Sequence, residues 1–254
     1  HADGALIAPL AFVLVAATGV LHGFTLKPLA RVLGLAGGEA PGVLLVGGSR
    51  ASTALGEVLK KAEVPVLIAD PNHQRLIRPR GAGLPTYYGD ILAEAAENSV
   101  EFLTYRTVVA MTDNDAYNTL VTTDLAPEFG RDSVWQLERA REGEARHAVR
   151  TQLGGQVIGG GRSHAALEEM LAAGWSFGIS RLTGEFGYGQ WREKKPKAVV
   201  FARRSKGGVP TFPGREAKQQ PAGTRLITLW PPQSQEDRAP EAVAGAAAGA
   251  DKGA

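Results

Sequence analysis

From Gly4 to Leu26 the chain carries no Asp, Glu, Lys or Arg and is dense in Leu, Val, Ala and Phe. As one helix this run reaches roughly 33 Å at about 1.5 Å per residue, enough to cross a bilayer core of about 30 Å. A soluble domain seldom opens on so much apolar helix, so residues 1–35 are expected to be a transmembrane helix and its flank. Asp3 precedes the run, whereas Lys27 and Arg31 follow it. The positive-inside tendency then places everything after about residue 27 in the cytoplasm. The run is too long for a signal peptide and lacks a basic segment before it. The chain also opens on His1 rather than Met, and is expected to be a piece of a longer, multi-pass protein of the inner (cell) membrane. The plainer alternative is a buried helix of a soluble protein.

After a Gly-rich hinge at 36–41 the pattern changes to alternating strand and helix. Val43–Val46 (VLLV) is all apolar, as a strand buried on both sheet faces must be. Ala51, Ala54, Leu55, Val58, Leu59 and Ala62 share one helical face. Val66–Ala69, Thr86–Tyr88, Thr107–Met111 and Val134–Leu137 read as further strands. Arg75–Arg80, Leu92–Val100 and Asp115–Phe129 read as the helices between them. Repeated βα units with short connections imply an α/β fold, a Rossmann-like parallel sheet over 42–138. A charged linker is expected at 139–155. A small α+β lobe at 156–231 follows, with a helix capped by Ser163 and strands at Trp175–Leu182, Lys197–Arg203 and Arg225–Trp230. From 232 to 254 the composition cannot bury a core, and a disordered tail is expected.

Composition removes several classes of function. With no Cys among 254 residues, disulfides, thiolate zinc sites and cysteine nucleophiles are excluded. The five His residues show no metal-ligand spacing. A net charge of +2 gives no bulk case for nucleic acid. The basic stretch Arg192–Lys206 reads as solvated surface, with an anionic leaflet nearby as the alternative. His22, inside the apolar run, reads as a side chain reaching back to the interface.

The site candidates follow from the sheet. Gly47, Gly48, Ser49 and Arg50 sit where a phosphate loop belongs, between the first strand and the first helix. Against G-x-G-x-x-G the loop reads G-x-S-x-x-S, so only the turn glycine survives. Asp70 ends the second strand about 20 residues on, where a carboxylate can accept ribose hydroxyls. Asp113 lies past the fourth strand, at the sheet's carboxyl edge, and Asp115 is expected to cap the next helix. Asp90 either starts a helix or reaches the cleft. A strand–G-x-S-x–helix turn also resembles a nucleophile elbow, which would recruit Asp113 or Asp115 and His147 or His164 to Ser49. That hydrolase alternative lacks the upstream strands such a fold requires.

Taken in order, LLVGG, VLIAD with Asn72, GLPTYYGDIL, MTDNDAYNTL and EFGRDSVWQL make Val43–Leu137 resemble an RCK domain (regulator of K⁺ conductance, also called KTN or TrkA-N). GVLHGFTLKPLARVLGL resembles the last membrane helix of bacterial Na⁺(K⁺)/H⁺ antiporters, and PAGTRLITLWPP the last strand of the C-terminal lobe. The resemblance implies a cytosolic regulatory domain of a monovalent cation:proton antiporter, not an enzyme, dimeric through this domain and joined to a transmembrane region upstream. A module of a K⁺ uptake or channel system is the alternative. It further implies NAD(H) or an adenine nucleotide as ligand, in a cleft at Gly47, Ser49, Asp70, Asp90 and Thr112. The ion-carrying carboxylates of such antiporters belong to earlier helices.

Overall fold

The computed structural model describes residues 2–32, 42–96, 105–139, 154–158, 160–205, 208, 210–212 and 220–232. The chain divides into two units, His1–Ala40 and Pro41–Ala254.

The first unit is one helix, α1 (Ala2–Val32). Its apolar side chains are uncovered: Leu10, Phe12, Val13, Leu14, Val15 and Phe24 are between 62% and 79% exposed. Its hydroxyls turn inward, Thr18 donating to the Leu14 and Val15 carbonyls and Thr25 to the Leu21 carbonyl. Among the described residues, however, no helix is long and apolar enough to cross a membrane, so the expected span is not met there. The contiguous described side chains, 9–21, cover only about 20 Å of axis, short of a core of about 30 Å. The side chains of Asp3, Lys27 and Arg31, which carried the orientation argument, and that of His22 lie outside the described set.

The second unit is built on six parallel strands: β1 (Gly42–Val46), β2 (Val66–Asp70), β3 (Thr86–Tyr88), β4 (Tyr105–Ala110), β5 (Val134–Gln136) and β6 (Gln156–Val157). Their order is β3-β2-β1-β4-β5-β6, so the chain reverses direction across the sheet between β1 and β4. That switch point is where open α/β sheets leave a crevice. The apolar runs read from the sequence are those central strands, and alternate side chains feed two cores. Val43, Leu45, Ile68, Val109 and Met111 point to one, Leu44, Val46, Leu67, Val108 and Ala110 to the other. Six intervening helices are α2 (Arg50–Lys61), α3 (Ile77–Gly81, after a 3-10 turn at His73–Leu76), α4 (Ile91–Ala96), α5 (Asp115–Asp124), α6 (Ala126–Phe129) and α7 (His164–Ala172).

Two details differ from expectation. The helix expected over Asp115–Phe129 breaks at Leu125, because Pro127 has no N–H and its ring obstructs a continuing helix. Its cap is Asn114, whose side chain accepts from Tyr117 N at 3.0 Å, and Asp115 is the first helical residue.

The lobe is an antiparallel sheet, β7 (Ser176–Arg181), β9 (Arg225–Trp230) and β8 (Val199–Arg204) in that spatial order, with α8 (Tyr188–Lys194) beside it. Ser163 caps α7 as expected. At the start of the basic stretch Arg192 lies over the ring of the buried Trp191, and Phe201 and Arg204 within it are buried, so part of that stretch packs rather than faces solvent. Lobe and parallel sheet share one core: Leu167, Phe201, Ile227 and Leu229 pack in the same cluster as Val43, Leu55 and Leu59. The expected hinge at 36–41, most of the linker and the tail from 233 lie outside the described residues.

Helix α2 ends in a Schellman motif. Val64 N donates to Leu59 O at 3.0 Å and Glu63 N to Lys60 O at 2.9 Å. The left-handed position usually given to Gly is held by Glu63, with φ of 61°. A side chain there costs about 1 kcal/mol, and the Glu63 carboxylate accepts from Arg225 at 3.2 Å. Arg204, 6% exposed, donates to the Ala62 carbonyl at the same helix end and to Gly208 O at 3.2 Å.

Candidate functional site

The crevice at the β1/β4 switch point is bordered by the β1–α2 turn, the loop after β2 and the loop after β4. Gly47 leaves β1 with φ of +115°, and a Cβ there would stand 3.0 Å from Thr112 N. Gly47 N donates to Ala69 O at 2.8 Å. Gly48 packs still more closely, since its Cβ would lie 2.6 Å from the Arg75 carbonyl oxygen. Both glycines are thus required by close approach of neighbouring backbone.

Ser49 is the N-cap of α2. Its hydroxyl accepts from Ser52 N at 3.1 Å, and Ser49 N donates to the Ser52 hydroxyl at 2.8 Å. Ser52 takes the place that Glu or Gln holds in the usual capping box. A φ of −113° is ordinary extended backbone, without the strain of a nucleophile elbow. Ser49 therefore starts a helix, and the hydrolase alternative loses its nucleophile. His147 lies outside the described residues. Arg50 is the exposed first residue of α2.

Asp70 stands at the end of β2 as expected, 2% exposed. One oxygen accepts from Gly48 N and the other from Asn72 N, both at 2.7 Å. The carboxylate clasps the turn to the loop after β2 and presents almost no surface to a ribose. Thr112, also buried, is consumed by Asn118: Thr112 N and Oγ1 donate to Asn118 Oδ1 at 3.0 and 2.7 Å. Asp90 follows Gly89, whose N–H donates to Asp70 O at 3.3 Å. Asp90 itself accepts from Leu92 N at 3.1 Å and from the Tyr117 hydroxyl at 2.6 Å. Burial, then the bond to Asp90, pushes the Tyr117 phenol well above its ordinary pKa.

Asp113 forms a bidentate pair with Arg75, at 2.9 and 2.7 Å. Arg75 follows β2 and Asp113 follows β4, and these strands flank β1, so the pair straps across the carboxyl end of β1. The guanidinium holds the Asp113 carboxyl below the usual range through its hydrogen bonds, against a smaller opposing effect of burial.

Glu168, which sequence reasoning missed, completes the picture. Glu168 of α7 accepts from Ala51 N at 2.8 Å, at the first turn of α2. His164 Nε2 stands 4.0 Å from the same carboxylate. A free helix N-terminus offers N–H groups and a positive dipole end to an anion, and here the anion is the protein's own. Gly47, Gly48, Ser49 and Asp70 form one cluster, Asp113 is strapped to it through Arg75, and Asp90 pairs with Tyr117. Among the described residues no His, Cys, Asp and Glu group is arranged to hold a metal ion.

Residues 43–158 match the family model of the TrkA-N domain, so this segment carries that domain. TrkA-N domains are regulatory ligand-binding domains rather than enzymes, and they bind NAD(H). No curated protein matches the chain. Among solved structures it is similar to the GsuK channel (16% identity, TM-score 0.39), the GsuK channel bound to NAD (16%, 0.37) and the GsuK RCK domain (15%, 0.36). Each alignment covers 76% of this chain but only 37%, 37% and 44% of the respective partner chains.

Proposed function

We propose that residues 42–232 are the nucleotide-sensing control element of a monovalent cation transporter of the cation:proton antiporter type, acting as a homodimer. The observation that carries this reading is the β1–α2 turn, with Asp70 beside it, at the switch point of a TrkA-N sheet. NAD(H) or an adenine nucleotide is the ligand class: its phosphate would meet the amides of the first turn of α2, and its ribose would approach Asp70 once the turn opens. Helix α1, with uncovered Leu, Val and Phe and self-satisfied hydroxyls, is the part suited to lipid or to a neighbouring membrane helix. Ligand then favours one arrangement of the sheet domain, and the chain between the two units passes that bias on.

Thermal melting of the full chain in detergent micelles, with NADH, NAD⁺, AMP and ATP each at millimolar concentration, tests the ligand. A rise in Tm with at least one of them is expected, since a ligand at 100 times its Kd stabilises by about 2.7 kcal/mol. No shift with any would end the nucleotide reading. Deleting 42–254 from the host transporter and following Na⁺ tolerance and K⁺ uptake in cells separates an antiporter from a K⁺ uptake system.

A further inference from the structure

Resting on that nucleotide reading, we infer that Arg75 is the residue that takes the ligand's phosphate, and that Asp113 is the carboxylate it gives up in exchange. With the β1–α2 turn as it stands, the amides of Gly48, Ser49, Ala51 and Ser52 are all engaged inside the protein, by Asp70, the Ser52 hydroxyl, Glu168 and the Ser49 hydroxyl. The Arg75 guanidinium is placed differently. It spans from the loop after β2 to the loop after β4, across the carboxyl end of β1, where open α/β sheets take their ligands. Two of its five N–H groups go to Asp113, at 2.9 and 2.7 Å, and among the described residues the others have no acceptor. The side chain is 42% exposed, so those remaining donors are open to a ligand.

Backbone and side chain of Arg75 are held with unequal firmness. Leu76, the next residue, is fully buried in the core, and Arg75 N donates to Asn72 O at 3.0 Å. The Arg75 carbonyl packs so closely on the glycine turn that a Cβ at Gly48 would stand 2.6 Å from it. The backbone is thus fixed beside the turn, and only the guanidinium can change partner. Its present partner is easily given up, since Asp113 is 53% exposed and its carboxylate can return to water. Arg takes carboxylate and phosphate through the same bidentate geometry, so a phosphate can replace Asp113 oxygen for oxygen. Like charge keeps the two anions from sharing one guanidinium edge. Ligand binding therefore unties the loop after β4 from the loop after β2. By reciprocity, whatever draws Asp113 away raises the affinity for phosphate.

The test measures binding of NADH, ATP and inorganic pyrophosphate by calorimetry to the full chain in detergent, for the parent, Arg75→Gln, Asp113→Asn and the double variant. Arg78→Gln, which removes an exposed charge from α3, is the control and matches the parent. Binding about tenfold weaker to Arg75→Gln and about threefold tighter to Asp113→Asn is expected. In the Arg75→Gln background Asp113→Asn brings no gain, because its effect works through the released guanidinium. Circular dichroism establishes that each variant is folded. Arg75→Lys, which keeps the charge but loses the bidentate fork, carries the test with an intermediate loss should Arg75→Gln fail to fold. Equal affinity of parent and Arg75 variants for the nucleotides overturns the exchange and leaves the nucleotide reading standing. A gain from Asp113→Asn that persists without Arg75 also overturns it, being the removal of a negative charge and no more. Weaker binding by Asp113→Asn overturns it too, making Asp113 a ligand contact. Pyrophosphate held through Arg75, with neither nucleotide bound by any protein, supports the exchange and sinks the nucleotide reading. No binding of any probe to any protein overturns both.

Discussion

Helix α2 is met at both ends by later parts of the chain, and the two meetings differ in kind. At the C-terminal end a buried guanidinium, Arg204, reaches the Ala62 carbonyl while Arg225 takes the Glu63 carboxylate. At the N-terminal end a single carboxylate, 31% exposed, accepts one N–H. Each charge complements the helix dipole. Removing the first leaves the Ala62 carbonyl with Arg225 alone, at 3.5 Å, whereas removing the second takes one partly exposed acceptor from the Ala51 N–H. One end behaves as an anchor and the other as a latch.

The largest expected effect breaks the anchor. Arg204→Ala should lower stability by about 3 kcal/mol, because the Ala62 carbonyl keeps only the 3.5 Å contact to Arg225 and the packing of a buried side chain is lost. Chemical denaturation measures this, and a loss below about 1 kcal/mol would erase the contrast. Next, Gly48→Ala should cost about 2 kcal/mol, since the new Cβ meets the Arg75 backbone at 2.6 Å and either the turn or the following loop must shift. A neutral result would show that the latch side yields easily.

Glu168→Ala should cost no more than about 1 kcal/mol, the scale of one partly exposed charge at a helix N-terminus. An effect matching that of Arg204→Ala would make both ends anchors. Smaller still is Asp113→Asn. The Arg75–Asp113 side chains are 42% and 53% exposed, and such a pair contributes about 0–1 kcal/mol. Because the folded carboxyl is held below its unfolded value, the contribution is present above about pH 4 and fades as pH falls through the lowered value. Acid titration of parent and variant should therefore converge at low pH. Tyr117 has the opposite sign: its raised pKa favours the neutral phenol, so its contribution is present below about pH 10 and lost above it. Tyr117→Phe should flatten the alkaline limb of the stability curve.

Much of the sheet could be read directly. VLLV, VLIA and TVVA are apolar on both faces because both faces are covered, and α2 shows its buried side at helical spacing. Strand β6 escaped notice because two residues carry no periodicity, and α8 because Tyr188–Lys194 is mostly polar and buries Trp191 alone. The site was half legible. Position marked Gly47, Gly48 and Asp70, since the fold requires that turn there, yet position does not say which atoms an oxygen will meet. Asp70 serves two backbone amides, and Asn114 caps where Asp115 was expected. The Arg75–Asp113 and Glu168–Ala51 contacts join residues 38 and 117 apart, beyond any local pattern.

Glu63 has a consequence for how far this protein can be divided. Its left-handed backbone is tolerable while a cation supplied by β9 sits beside its carboxylate. Excised or transplanted without β8 and β9, the TrkA-N half would keep the awkward corner and lose its counterweight. Modularity in this chain therefore ends where the parallel sheet does not: the smallest portable piece runs through Trp230.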